Sequence, residues 1–234
     1  MNLSAYIARC GFCSRRKAGV LIKEGKVRVN GVITIQPWRR VGDGDAVVVN
    51  GAPLAAERYT YLMYNKPYGV TATVDDKFAA KKIVDMVPKD LGRLYPVGRL
   101  DRMSRGLIIL TNDGDLCNKL THPRFEVEKE YVVTVKGRVD ASIIKKLTDG
   151  VEEGPDFLSV KNAAIKSTDD KRSTFQVIVC EGKKRHIRRL FSKLGHSILD
   201  LRRVRIGGLQ LGDLKEGAYK ALDARTIYRK TLGI

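Results

Sequence analysis

The string from Gly98 to Gly114 constrains this chain more than any other. It runs Gly98-Arg99-Leu100-Asp101, passes Ser104 and Gly106, continues through four apolar residues, Leu107 to Leu110, and ends on Thr111-Asn112-Asp113-Gly114. A short apolar run bounded by turn residues reads as a buried strand. Asp101 is then presented on a loop fixed by a rigid element, between Arg99 and Arg102 and near Arg105. Guanidinium groups hold a carboxylate ionised and orient it through charge-assisted bonds. An isolated aspartate among arginines also serves as a structural turn residue, so its role depends on the rest of the chain.

Forty-four Lys and Arg against 26 Asp and Glu leave a formal net charge of +18. Such an excess opposes compaction unless a polyanion neutralises it, which points to nucleic acid first and an anionic membrane second. The chain has no apolar run near the ~18 residues of a membrane span and no signal-peptide pattern after Met1. It therefore reads as cytoplasmic. Cys10, Cys13, Cys117 and Cys180 do not form a disulfide framework at this length. Cys10 and Cys13 have metal-ligand spacing, but no second pair follows and His122, His186 and His196 are distant, so no metal is expected.

Residues 1–50 read as a unit of their own. Leu3, Tyr6 and Ile7 have helical spacing ended by Gly11; Ser14 caps a second helix that carries Ala18, Leu21 and Ile22 inward and closes at Gly25. Lys26 to Val29 alternate as a strand, Asn30-Gly31 signals a hairpin, and residues 32–35 return. Asp43-Gly44-Asp45 marks a further turn before a strand at Val47–Val49. Residues 51–58, with Pro53, read as a flexible linker. From Tyr59 onward, strands are expected at 61–64, 70–74, 107–110, 129–136 and 174–180, and helices at 80–86, 113–120, 141–147 and 184–194. Without regular strand-helix alternation, the expected class is α+β around a largely antiparallel mixed sheet.

Two helices with an arginine-rich junction and a basic hairpin (Gly11, Ser14-Arg15-Arg16, and Gly25 through Gly31) resemble the S4 RNA-binding domain. Within residues 1–50, nine Lys or Arg face three acids. Arg15, Arg16, Lys17, Lys26 and Arg28 are the candidates for phosphate contact, helped by amides at the second helix's amino end. The Gly98 string closely resembles the catalytic motif of pseudouridine synthases, specifically the branch that modifies ribosomal RNA and carries an S4 domain in front. That resemblance implies a catalytic domain over 59–234 and assigns the essential aspartate to Asp101.

Three further segments carry the same resemblance. Asn65-Lys66-Pro67-Tyr68-Gly69 matches the opening of the family's catalytic domain, with Lys66 expected at RNA phosphate. Lys129-Glu130-Tyr131 matches its Lys-x-Tyr element, which implies that Tyr131 packs against the target base; aromatic stacking is worth about 1–3 kcal/mol per base. Glu181-Gly182-Lys183-Lys184-Arg185-His186-Ile187-Arg188-Arg189 matches the third motif, with His186 where Gln is commonest. There Arg188 is implied to pair with Asp101, and Lys183, Lys184 and Arg185, with Arg99, are expected to follow the RNA backbone.

The implied reaction is isomerisation of uridine to pseudouridine in ribosomal RNA, with the large-subunit RNA favoured over the small. The base flips from its stack, the ribose–N1 bond breaks, and the ribose is joined to C5. Nothing is consumed, so no cofactor or metal is required, and no Walker loop or dinucleotide fingerprint occurs in the sequence. A monomer is expected. The competing readings are an RNA-binding ribosome-assembly protein without catalysis, and a hydrolase of the N-glycosidic bond that would release uracil.

Overall fold

Side-chain oxygens start the first two helices. Asn2 Oδ1 accepts from the Ala5 amide at 2.9 Å and opens α1 (Leu3–Arg9); Ser14 Oγ accepts from the Lys17 amide at 3.3 Å and opens α2 (Arg15–Lys23). The computed structural model describes residues 1–42, 44–74 and 81–234. Asp43 of the expected turn, and Ala80 at the head of the expected helix 80–86, lie outside the described residues.

After α2 the chain forms β1 (Val27–Val29) and β2 (Val32–Ile33), joined by Asn30 and Gly31 at φ 53° and 80°. Positive φ at both central residues matches the right-handed twist of a hairpin. β3 (Val47–Val49) and β4 (Ala52–Pro53) complete an antiparallel sheet in the order β2-β1-β3-β4. Leu3, Ile7, Ala18, Ile22, Val27, Val29 and Val49 fill the core beneath it. Residues 51–58 therefore do not begin as a free linker: β4 is paired with β3, and the Leu54 amide donates to Val47 O at 2.9 Å. One compact unit comprises Met1–Tyr59, Lys89–Arg93 and Asn112–Gly114, and the other Thr60–Pro88, Leu94–Thr111 and Asp115–Ile234.

The second unit holds, in order, β5 (Tyr61–Lys66), β6 (Tyr95–Pro96), β7 (Arg105–Thr111), α3 (Gly114–Thr121), β8 (Lys129–Lys136), α4 (Ile143–Asp149), β9 (Val151–Glu153), β10 (Asp156–Leu158), β11 (Asn162–Thr168) and β12 (Arg172–Val179). α5 (His186–Lys193), β13 (Ile198–Ile206), β14 (Leu209–Gln210), β15 (Tyr219–Leu222) and α6 (Ala224–Leu232) follow. The main sheet runs β11-β12-β8-β13-β7-β5-β15, with β14 on β13 and β6 on β7. Among the described residues, only β13–β7 of this sheet's strand pairs is parallel and the other pairs are antiparallel, as the mixed α+β expectation required.

Two expectations fail. Residues 70–74 form no strand: Thr71 makes a single bridge to Lys82. The described part of 80–86 is a 3-10 turn at Ile83–Met86.

The run Leu107–Leu110 is fully buried in β7. Gly106, at its head, lies directly opposite Arg203 in the parallel pair. A Cβ on Gly106 would stand 2.2 Å from Arg203 O, and its φ is +101°. Glycine lets these two strands close. The same register continues through neighbouring strands, so Lys66, Gly106, Arg203, Tyr131 and Val177 form one row across β5, β7, β13, β8 and β12.

Candidate active site

The loop before β7 is built around a turn in which the Ser104 amide donates to Asp101 O at 2.9 Å. The Gly69 amide donates to Arg102 O at 2.9 Å, tying the Lys66-Pro67-Tyr68-Gly69 segment to the same loop. Lys66 is fully buried, and its ammonium donates to Ser104 O at 2.5 Å and Pro67 O at 2.9 Å. The expectation that Lys66 meets RNA phosphate is thereby corrected: it braces the Asp101 loop from behind. Burial pulls its pKa down to about 8, against the opposing charges of Glu216 and Asp101.

A cleft of about 470 Å³ opens in front of that loop, within the range of small-molecule sites. Asp101, Tyr131 and Arg188 all line it, although they come from the β7 loop, β8 and α5. Arg99, Lys183, Lys184 and Arg185 line it as well, and Arg99, Lys184 and Arg185 are exposed. Lys183 is held at the wall, donating to Phe157 O at 2.5 Å and pairing with Glu181 at 3.2 Å. Arg185 opens α5 in the left-handed conformation, φ 54°. That departure shortens the helix expected at 184–194 and turns Lys183 to His186 around the cleft mouth. A non-glycine residue held there stores strain of a kind that gathers at functional sites.

Arg188 corrects a second expectation. Its Nη2 donates to Met103 O at 2.7 Å and Ser104 Oγ at 3.4 Å, not to the Asp101 carboxylate. Among the described residues, no ion pair of Asp101 falls within 4.0 Å. Arg188 grips the Asp101 loop by its backbone. Burial lowers the Arg188 pKa, and the charge of Asp101 counters that shift. Arg105, adjacent in sequence, turns away and binds Asp200 through two nitrogens at 2.8 and 2.9 Å. His186 is 5% exposed, and because a carbonyl can only accept, its Nε2 donates to Ser159 O at 2.8 Å. Burial depresses its pKa, so it sits as a neutral wall.

Two cleft residues carry no assignment from the sequence. Lys129 starts β8 two residues before Tyr131, on the same face by the period of a strand, and donates to Cys180 O at 3.2 Å. Burial, then repulsion from Arg203, brings its pKa down to about 8. Arg203, 4% exposed, donates through Nε to Leu107 O at 2.7 Å and through Nη1 to Tyr131 Oη at 3.4 Å. Seven cationic side chains thus line the cleft, against Asp101 and Glu181. The field suits an anionic polymer.

In the first unit, Arg15, Arg16, Lys17, Lys26 and Arg28 are all exposed. The first three form the opening turn of α2, which contains no acid. Lys26 pairs with Glu24 at 2.8 Å, and Arg28 donates to Gly31 O at 3.0 Å. Among the described residues, no helix is long and apolar enough to cross a membrane.

Known proteins share both parts of this arrangement. Residues 60–193 match the RNA pseudouridylate synthase family, and residues 1–52 match the S4 domain. The chain belongs to the RNA pseudouridylate synthase family. It is 38% identical to ribosomal large subunit pseudouridine synthase B of Bacillus subtilis, over 92% of this chain and 91% of that one. It is 37% identical to the protein of the same name from Pseudomonas aeruginosa, over 97% of this chain and 60% of that longer one. A crystal structure of a pseudouridylate synthase superposes with a TM-score of 0.67 at 26% identity, covering 99% of both chains.

Proposed function

We propose that this enzyme converts uridine to pseudouridine in ribosomal RNA, large-subunit RNA in particular, and that Asp101 is its catalytic carboxylate. One observation carries the reading: a single cleft gathers Asp101, Tyr131 and Arg188 from three separate motifs. The names of the relatives support the choice of large-subunit RNA. The target nucleotide leaves its stack, its base lies against Tyr131, and Asp101 acts on the ribose while the base turns. Arg188 fixes the loop that carries Asp101, through Met103 O.

Residues 1–50 act as the RNA-binding domain through Arg15, Arg16, Lys17, Lys26 and Arg28. Residues 59–234 perform the chemistry, with Arg99, Lys183, Lys184 and Arg185 along the backbone of the bound RNA. The enzyme acts as a monomer, and its ribosomal substrate supports a cytoplasmic location.

The test is tritium release from C5-labelled uridine in ribosomal RNA. The protein releases tritium but no free uracil, and Asp101→Ala abolishes the release. Undiminished release by that variant overturns the role of Asp101, and appearance of uracil marks a hydrolase instead. Loss of one pseudouridine from the large-subunit RNA of a strain lacking the protein identifies the target.

A further inference from the structure

We propose that Arg203 is a further catalytic residue of this site, donating to the uracil carbonyl oxygen that carries negative charge while the base is detached from its ribose. The inference rests on the pseudouridine synthase reading given above.

Geometry comes first. Arg203 lies directly opposite Tyr131 in the β13–β8 pairing, and its guanidinium carbon stands 6.0 Å from the centre of the Tyr131 ring. It lines the cleft although only 4% of it is exposed. Nε is committed to Leu107 O and Nη1 reaches Tyr131 Oη, but the buried Nη2 has no acceptor among the described residues. Arg188 likewise keeps a buried Nε without a partner, but it is spent on the Asp101 loop through Met103 O, and three further arginines of this region are neutralised. Arg105 is paired with Asp200, Arg189 with Glu153 and Asp156, and Arg205 with Glu130 and Glu128. Arg203 has no carboxylate partner among the described residues. Beside it Lys129 is also without one and feels Arg203 as a repelling charge. A structural strap for β7 would need only Nε. A buried donor left over at the wall of a cleft needs an explanation, and a transient anion supplies it.

The reaction makes such an anion at this place. When the C1′–N1 bond breaks, its electron pair departs with N1 and spreads over the ring onto O2 and O4. C1′ is then satisfied by the Asp101 carboxylate, or by loss of the neighbouring sugar proton to it. The ring turns and C5 bonds to C1′ as the Asp101–C1′ bond breaks, or as Asp101 returns the sugar proton it took; the C5 proton is then lost and N1 gains one, so nothing is consumed. Through the turn the charge stays on the base, and a fixed donor beside the stacking ring holds it without reorganising. Arg203, the opposite neighbour of Tyr131, occupies that position.

The experiment compares wild type, Arg203→Gln and Arg203→Lys in single-turnover consumption of the target nucleotide, with uridine or 5-fluorouridine at that position. Digestion to nucleosides and mass spectrometry read the consumption. Fluorine stabilises the departing base anion, so a lost donor matters less with that substrate. Arg203→Gln slows uridine consumption about 100-fold and 5-fluorouridine consumption by about 10-fold or less, while RNA affinity moves by less than about twofold. Equal slowing of both substrates, which a merely structural role would give, overturns the proposal, as does a uridine rate within about threefold of wild type. Should Arg203→Gln unfold in a thermal melt, Arg203→Lys carries the same comparison. Absence of turnover by wild type on the uridine substrate would instead remove the pseudouridine synthase reading.

Discussion

Lys66 shows how one side chain changes meaning between sequence and structure. A lysine in a basic chain suggests a phosphate contact, but full burial and two backbone carbonyls make it a brace for the loop of Asp101. Lys66→Met therefore lowers the single-turnover rate about tenfold or more through loop misplacement, and leaves RNA affinity within about twofold. A loss of affinity at unchanged rate would return Lys66 to the RNA interface. Its titration yields a separate expectation. The folded-state pKa is about 8 against an ordinary 10.5, so between these values the unfolded chain holds a proton that the folded one has shed. Stability contributed at this position therefore rises with pH across that window, and the cost of burying the charge is complete below it. Thermal melts at pH 7 and pH 10 will show Lys66→Met losing ground relative to wild type as pH rises; a constant difference refutes the shift.

Pairing between strands explains what the chain disclosed and what it concealed. The alternation Lys129, Tyr131, Val133, Val135 and the run Leu107–Leu110 are local patterns, and both strands lie where those patterns put them. β13 is not local in that sense. Its register shifts between Ile198 and Asp200 and again between Arg203 and Arg205, so its residues lose the two-residue period by which a strand is recognised. Arg203 consequently carries no assignment from the sequence, although its opposition to Tyr131 is what places it in the cleft. The Asp101–Arg188 contact was misread for a related reason, since a motif gives neighbourhood but not which atom of a loop receives the bond. Gly106 offers a direct test of the row that these strands share. Its side chain has no room against Arg203 O, so Gly106→Ala will destabilise the protein by about 3 kcal/mol or more in urea unfolding. Gly154 also has positive φ, 62°, but open space, and Gly154→Ala will cost about 1 kcal/mol. Equal costs at the two sites would mean that conformation, rather than the closeness of β7 and β13, determines the effect.

At the scale of the whole molecule, a net charge of +18 must be divided between holding RNA and acting on it. The two tasks place opposite demands on a cation. In and behind the cleft wall, Lys66, Arg188 and Arg203 are wholly or partly withdrawn from solvent and spend donors on backbone carbonyls, which fixes geometry. On α2, Arg15, Arg16 and Lys17 stand exposed at the positive end of a helix, where the backbone dipole disfavours further positive charge. An RNA phosphate bound there offsets that cost, because amides and cations then address the same anion. Replacing all three by Gln will therefore weaken RNA binding and reduce the slope of log affinity against log salt by roughly two to three, one lost phosphate contact per cation. At saturating RNA its single-turnover rate stays near wild type, whereas Asp101→Ala keeps the affinity and loses the rate. Filter binding across a salt series, paired with the tritium assay, measures both quantities on the same proteins. A triple variant with an unchanged salt slope would place the phosphate contacts elsewhere on the chain. One that binds normally yet reacts slowly would mean that these cations serve the chemistry rather than the capture of RNA.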